Sequence, residues 1–456
     1  MAGLSCFKSY DIRGRVGEDL DAGIAYRIGR AFVQVMRPGS VVLGRDIRDS
    51  SPMLQDAIAR GVMDEGADVL DIGLCGTEEV YFATDHLGAG GGLMVTASHN
   101  PIGDNGVKLI GPGAAPISRE DGLGAMEAMV AGDAFGPPVE RQGTSRRVDP
   151  RADYVARVMS FVDVGALRPV KIVVNAGNGA AGPTFDALAQ ALDGAGAPLN
   201  FVRMHHDPDG AVPNVIPIPL LSEDQPVTAE AVKTHGADIG VAWDGDFDRC
   251  FLFDETGAFV DGEYIVGLLA AAMLARTPGA KVVHDPRVMW NTRRIVAEAG
   301  GEAVVSKTGH ALIKAKMREV DAAYGGEMSA HHYFRDFMYC DSGMIPWLLV
   351  LAHMSSAGRP LSALVEEMRK RHPSSGEINF RLAHPEAAVA AIEDGFARGA
   401  EIYRLDGLSA AFAGWRFNLR QSNTEPVVRL NVETLGNAAL LAEKTAAISV
   451  ALRAFE

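Results

Sequence analysis

Three times along the chain a short apolar run gives way to a polar or glycine-bearing turn and then to a helix-forming pattern. This repeated strand–turn–helix order is the strongest constraint on what the chain can fold into. The first instance runs from Val41-Val42-Leu43 through Gly44-Arg45-Asp46-Ile47-Arg48-Asp49-Ser50-Ser51 into a helix opened by Pro52. Leu54, Ala57, Ile58, Gly61 and Val62 share one face of that helix, with a serine as the expected N-cap. The second leads from residues 170–174 to Gly177, with Pro183 opening the helix, and the third from residues 303–305 to Thr308-Gly309-His310. Strands separated by helices pair in parallel, and such sheets collect their functional loops at the carboxyl ends of the strands. The blocks are alike in pattern, not in sequence.

A chain of 456 residues holds roughly three domains, with two to four in range. Breaks in the rhythm set the count at four: a Gly/Pro/Arg-rich stretch at 132–150, the turn Thr256-Gly257 after a strand at 250–254, and the polar run Arg371-His372-Pro373-Ser374-Ser375-Gly376. The expected domains are 1–149, 150–254 and 255–371, each α/β, and a smaller α+β domain at 372–456. Apolar residues at 47% supply several cores, and the 51 glycines show no triplet period, which places them in tight loops. A net charge of −15 argues against the broad basic face that nucleic acid requires, so any phosphate site must be a local basic pocket. Cys6, Cys75, Cys250 and Cys340 form no CxxC, the N-terminus has no secretory pattern, and the longest apolar run, 264–275, falls short of the ~18 residues that cross a bilayer. A cytoplasmic protein with no membrane partner is expected.

The sharpest local signal is Asp244-Gly245-Asp246-Phe247-Asp248-Arg249 after the apolar run 239–243. On a straight strand the outer carboxylates would stand ~13 Å apart, so the segment must curl to share one ion, and Gly245 permits that. Three hard oxygens suit Mg²⁺ better than zinc. An EF-hand is excluded because Arg249 takes the position its glycine needs, and the bland alternative is a solvated acidic turn. A second signal, Thr96-Ala97-Ser98-His99-Asn100-Pro101, puts Ser98 where a strand hands over to a loop, as a nucleophile or as a turn residue, with Lys108 and Arg13 as cations in range of a phosphate. A third, Arg420-Gln421-Ser422-Asn423-Thr424-Glu425 between two strands, is a phosphate cradle or a plain hairpin turn. A fourth, Gly325-Gly326-Glu327-Met328-Ser329-Ala330-His331-His332-Tyr333-Phe334, lacks any zinc motif and suits sugar hydroxyls or a buried polar loop. Gly177-Asn178-Gly179-Ala180-Ala181-Gly182 matches a dinucleotide fingerprint, yet the acidic residue that should follow, Asp207, sits in a turn; close helix–strand packing accounts better for these glycines.

In order, residues 10–14, 96–101, 244–249, 326–331 and 420–424 resemble the characteristic loops of the α-D-phosphohexomutases, with similarity from Phe7 to about Val432. Residues 325–349 look like the bacterial phosphomannomutase branch. The resemblance implies an α/β fold of four domains around a central cleft, three similar cores with mixed sheets and a smaller, mobile last domain, for which the break in the apolar pattern at 372–376 is the expected hinge. It implies that Ser98 is the phosphoserine and that Mg²⁺ is held by its phosphate with Asp244, Asp246 and Asp248. Arg13, Lys108, Arg249 and His310 would line the reaction centre, Lys108 as general acid or base, and His331 would lie near the transferring proton. Glu327 and Ser329 would bind sugar hydroxyls; Arg420, Ser422, Asn423 and Thr424 would hold the non-reacting phosphate. The implied reaction interconverts mannose 6- and 1-phosphates through a hexose 1,6-bisphosphate, which also serves as activator, and supplies GDP-mannose synthesis. Glucose phosphates are the alternative substrates, and a Mg²⁺-dependent phosphatase or a non-catalytic sugar-phosphate binder are the rival classes. A monomer or weak homodimer is expected. Two departures stand out: Pro217-Ile218-Pro219 replaces a Pro-Asn-Pro, which puts an interdomain contact in doubt, and Arg287 stands where some relatives have a cleft lysine.

Overall fold

The computed structural model describes residues 4–214, 220, 223–421 and 427–456. These group into two compact units, Met1–Phe259 with Ala330–Gly358, and Val260–Ser329 with Arg359–Glu456. Residues 215–219, which include the Pro-Ile-Pro departure, and Ser422, Asn423 and Thr424 lie outside the described residues.

In the first unit one mixed sheet runs in the order Ile12–Arg15, Asp104–Ile110, Gly92–Val95, Ser40–Arg45, Asp68–Leu74, Ser145–Arg147. The four strands from Gly92–Val95 outward pair in parallel, and the first two strands close the sheet antiparallel. The stretch at 132–150 is therefore more than a linker, since it ends in an edge strand. The helix Ser51–Asp64 follows its strand as expected, but Ser50 caps it by position alone, and the Ser50 hydroxyl accepts from Asn105 Nδ2 at 2.8 Å. Gly61 serves close approach: a Cβ there would lie 2.1 Å from the Tyr26 carbonyl oxygen on helix Ala22–Met36.

A second sheet in this unit orders Cys250–Asp254, Ile239–Trp243, Val170–Asn175 and Leu199–Met204, the first pair antiparallel and the others parallel. Residues 330–358 join it because Cys250 N donates to Ala330 O at 3.3 Å and Trp243 Nε1 donates to Gly343 O at 2.8 Å.

In the second unit, strands Glu302–Val305, Lys281–His284 and Ala322–Gly326 run parallel. The chain ends in a five-stranded antiparallel sheet ordered Ile378–Arg381, Val427–Thr434, Trp415–Gln421, Leu408–Ala411, Glu401–Tyr403. Helices Pro385–Phe396 and Ala438–Arg453 bury Ala388, Ile392, Ile448 and Leu452 in the core of that sheet. Among the described residues no single helix is long and apolar enough to cross a membrane.

Candidate active site

The strand Gly92–Val95 delivers Ser98 to the carboxyl edge of the first sheet, where it is buried and left-handed at φ 51°. A non-glycine residue occupies that region at a cost, so surrounding contacts must hold it there. Ser98 N donates to Thr96 Oγ1 at 2.8 Å, and Ser98 Oγ donates to Asp244 Oδ2 at 2.9 Å. Arg249 reaches the same Oγ at 3.1 Å while pairing with Asp244 at 2.7 Å. His99 Nδ1 stands 3.1 Å from Ser98 Oγ, and burial, then Arg249 and Arg13, keep its ring well below the ordinary histidine range, hence neutral.

The triple-Asp segment curls as required, bringing one oxygen each of Asp244, Asp246 and Asp248 within 4.8 Å of one another. The left-handed residue of the curl is Phe247, at φ 43°, and not Gly245. Gly245 is needed for proximity, because a Cβ there would lie 2.8 Å from the Ser98 carbonyl oxygen. All three carboxylates are buried, and Asp246 Oδ1 has no hydrogen-bond partner, an orphaned hard oxygen that a divalent cation would satisfy. Burial, with repulsion from Asp248 and Asp246, lifts Asp244 to about 6 against the pull of Arg249.

Lys108 lies inside this acidic group, 2.7 Å from Asp246 Oδ2, 2.5 Å from Asp248 Oδ2 and 3.2 Å from Thr77 Oγ1. Burial works to lower its pKa, but Asp246 and Asp248 outweigh it and hold the ammonium charged above the usual lysine value. Arg13 donates to Asp11 (2.7 Å), Asn100 Oδ1 (2.7 Å) and Ala97 O (3.2 Å), so in this conformation it braces the serine loop. His331 pairs backbone with Arg249 and sets Nε2 3.6 Å from Asp248 Oδ1, with Asp341 in the same group. The first unit thus assembles Ser98, Asp244, Asp246, Asp248, Arg249, Lys108, Arg13 and His331.

The second unit holds the remaining described candidates. Glu327, buried at the end of strand Ala322–Gly326, accepts from Gly309 N at 2.8 Å, beside His310 at the start of helix His310–Val320. Ser329 follows in the same loop. Arg287 is clamped by Asp285 (2.6 Å) and Glu377 (2.7 Å), and Arg429 lies 3.7 Å from Glu377. Arg420, cross-strand from Arg429, is 3.9 Å from Asp406, and its Nε is buried without a hydrogen bond. Like charges on directly opposed strand positions are unfavourable, and the carboxylates of Glu377 and Asp406 offset them.

Sequence reasoning passed over Thr77, Asp341, Glu377, Asp406, Arg429 and the pair Asp46 and Arg48. The last two sit in the first polar turn, at the carboxyl end of Ser40–Arg45, where the parallel-sheet rule points. The Gly177–Gly182 segment packs close, as expected: Ala180 N donates to Gly245 O at 3.1 Å, and a Cβ on Gly182 would lie 2.0 Å from His206 O.

A buried serine, a carboxylate trio fit for a hard cation and a ring of cations define an enzyme that handles phosphoryl groups. Four domain models of one family match the chain in sequence: phosphoglucomutase/phosphomannomutase domain I at residues 5–133, domain II at 152–257, domain III at 261–372 and the C-terminal domain at 377–448. The chain belongs to the phosphoglucomutase/phosphomannomutase family and is accordingly a mutase, an isomerase of the intramolecular phosphotransferase kind. It is 55% identical over 448 residues to a Salmonella montevideo phosphomannomutase, covering 98% of each chain, and 53% identical to that of Escherichia coli K12 over the same span. It is also 55% identical over 453 residues, 99% of each, to the phosphohexose mutases of Xanthomonas campestris. A crystal structure of a family protein from Burkholderia thailandensis superposes with a TM-score of 0.86 at 34% identity, over 100% of this chain and 98% of that one. An Aspergillus fumigatus N-acetylphosphoglucosamine mutase, solved with GlcNAc-6P and magnesium, shares the fold at 15% identity and a TM-score of 0.58, over 99% of this chain and 96% of that one.

Proposed function

We propose that this chain interconverts mannose 6-phosphate and mannose 1-phosphate, with Ser98 as phosphoryl carrier and hexose 1,6-bisphosphate as intermediate and activator. The observation that carries the chemistry is Ser98 Oγ, buried between Asp244 and Arg249. Phospho-Ser98 gives its phosphoryl group to the free hydroxyl of the bound hexose phosphate: the Ser98 oxygen–phosphorus bond breaks and a sugar oxygen–phosphorus bond forms. The other phosphate then returns its phosphoryl group to Ser98. Mg²⁺, held by Asp244, Asp246, Asp248 and the serine phosphate, would neutralise charge on the transferring group. Arg249 donates to the serine oxygen as it becomes a leaving group, and Lys108, charged between Asp246 and Asp248, would be the proton donor of the centre. His331, with Nε2 3.6 Å from Asp248 Oδ1, would handle the sugar hydroxyl's proton. Arg287, Arg420, Ser422, Asn423 and Thr424 would take the remote phosphate, and Glu327, Ser329 and His310 the sugar and the edge of the centre.

Mannose is favoured by the relatives at 50–55% identity over nearly the whole chain that are named phosphomannomutase. The equally similar Xanthomonas protein, named for phosphohexoses in general, supports a second reading in which glucose phosphates turn over too. The test is a coupled assay of mannose and glucose 1-phosphates with Mg²⁺ and catalytic hexose bisphosphate, alongside intact-mass measurement of the protein. Mannose 6-phosphate without free phosphate, a mass increment mapped to Ser98, and loss of both in Ser98→Ala are expected. Full activity in Ser98→Ala refutes the carrier; steady release of inorganic phosphate points to a phosphatase.

A further inference from the structure

The loop that carries Ser98 is held from behind by one side chain that no motif announced. Arg48 is 2% exposed, and its guanidinium donates to four backbone carbonyls of residues 98–104. Nη1 reaches Pro101 O at 2.7 Å and Asp104 O at 2.8 Å; Nη2 reaches Asn100 O at 2.6 Å and Ser98 O at 3.1 Å. Asp46 holds the fork in turn, 3.4 Å from Arg48 Nε, while its Oδ1 accepts from Arg48 N at 3.0 Å and from Ser51 Oγ at 2.5 Å. Asn105 Nδ2 donates to Ser51 Oγ at 2.9 Å and closes the chain of supports back onto the strand that leaves the loop.

This arrangement answers a physical need. Ser98 sits at φ 51°, which a side chain with a Cβ leaves when free to relax. A carbonyl-rich loop has no intrinsic reason to keep four oxygens converging on one point, because they repel one another until a planar cation with several fixed donors lies between them.

We propose that Arg48 is a positioning residue for phosphoryl transfer: its fork fixes the backbone of Ser98, and with it the direction of Oγ, through both half-reactions. The proposal rests on the reading of Ser98 as the carrier. The Arg48 guanidinium contacts are to backbone carbonyls and to Asp46, so its loss is expected to lower kcat and leave hexose phosphate binding intact. A misplacement of ~1 Å at a reacting atom lowers the rate on the order of 10²-fold, and Arg48→Ala is expected to lose about that much in kcat with KM within about threefold of wild type.

The experiment uses the full chain in three forms, wild type, Arg48→Ala and Arg48→Lys, with the mannose 1-phosphate assay, intact mass and urea unfolding run on each. Arg48→Lys keeps the charge beside Asp46 but not the planar fork, and is expected to recover less than a tenth of wild-type kcat. Added guanidinium at millimolar concentration is expected to raise kcat of Arg48→Ala at least tenfold and to do nothing for Ser98→Ala. Should Arg48→Ala fail to fold, Arg48→Lys carries the kinetic comparison alone. Wild-type kcat in either folded variant, a loss that only tracks the unfolded fraction, or a rise in KM at constant kcat overturns the proposal. If wild-type protein never carries phosphate on Ser98, the carrier reading fails first and the proposal with it. Phosphorylated wild type with a fully active Arg48→Ala sinks the positioning role alone.

Discussion

Lys108 offers the most stringent check on the acidic centre, because its ammonium pairs with two buried carboxylates. Consider Lys108→Met, which keeps the aliphatic stem and deletes the charge. At an effective dielectric of ~20, contacts of 2.7 and 2.5 Å each give roughly 6–7 kcal/mol of gross attraction. Most of this is offset by the cost of taking three charges out of water, so the expected net loss is the ~3–5 kcal/mol that follows when one partner of a buried pair is deleted. The folded lysine pKa is raised, so its contribution is fully present below the ordinary value of ~10.4 and is lost only as pH climbs past the folded one. Between pH 6 and 9 the penalty should therefore not shrink, and it should grow with pH as Asp244 and Asp248, whose carboxylates Lys108 holds down, ionise without their cation. A divalent cation among the same carboxylates would do the electrostatic work of the missing ammonium, so Mg²⁺ should recover more than half of the loss in stability while activity stays at least ~10²-fold down. Urea unfolding with and without EDTA measures this, followed by the fluorescence of buried Trp243, which immediately precedes Asp244. A loss that Mg²⁺ leaves untouched, or no loss in EDTA, would show that the three carboxylates do not form the cation site.

Asp246→Asn removes the carboxylate whose Oδ1 has no partner and should raise the Mg²⁺ concentration for half-maximal activity at least ~tenfold, while the loss of its buried pair with Lys108 should lower stability by up to ~3–5 kcal/mol; an unchanged metal titration counts against the site. His284 is held at about 4, first by burial and then by Arg293 and Arg416. Its folded pKa is depressed, so as pH falls from ~6.5 to 4 the unfolded chain takes a proton that the folded chain refuses, and roughly 3 kcal/mol of stability should disappear over that window. His284→Gln should flatten it, and an equally steep acid limb in the variant would refute the assignment. Arg420→Ala should raise KM for both the 1-phosphate and the 6-phosphate, since one cradle serves whichever phosphate is remote; an effect confined to one direction would separate the two poses.

Much of the centre was legible because its parts are local. An apolar run that stops at a polar cluster marks a strand end, and this alone put Ser98 and the triple-Asp segment where the structure has them. The antiparallel pair Trp415–Gln421 and Val427–Thr434 was equally visible from alternation. Arg48 was not, since its meaning lies in four carbonyls some fifty residues away and no spacing rule encodes backbone acceptors. Gly245 was read for the wrong freedom. A glycine in a turn signals either a left-handed backbone or a close neighbour, and sequence does not say which; here Phe247 takes the left-handed position while Gly245 makes room for Ser98.

The polar run at 372–376 shows the same ambiguity on a larger scale. Pro, Ser and Gly there end the apolar pattern, which suggests a free linker for a moving last domain. The backbone is instead tied along strand Val427–Thr434: Thr434 N donates to Pro373 O at 2.9 Å, Ser375 N to Val432 O at 2.9 Å, and Gly436 N to Arg371 O at 2.9 Å. Asn431 Nδ2 adds a bond to Gly376 O at 3.0 Å. A break in hydrophobic periodicity reports missing side-chain packing and says nothing of hydrogen bonds, which can fix a segment just as firmly. Rotation spread over 372–376 would have to break these bonds one after another. Rotation that keeps them must pivot N-terminal to Arg371, at the end of helix Leu361–Arg371, carrying the run along as part of the last sheet. The second route conserves every bond named above and strains instead the helix-end bond from His372 N to Met368 O at 2.8 Å and the bond from Tyr264 Oη to His372 O at 3.1 Å.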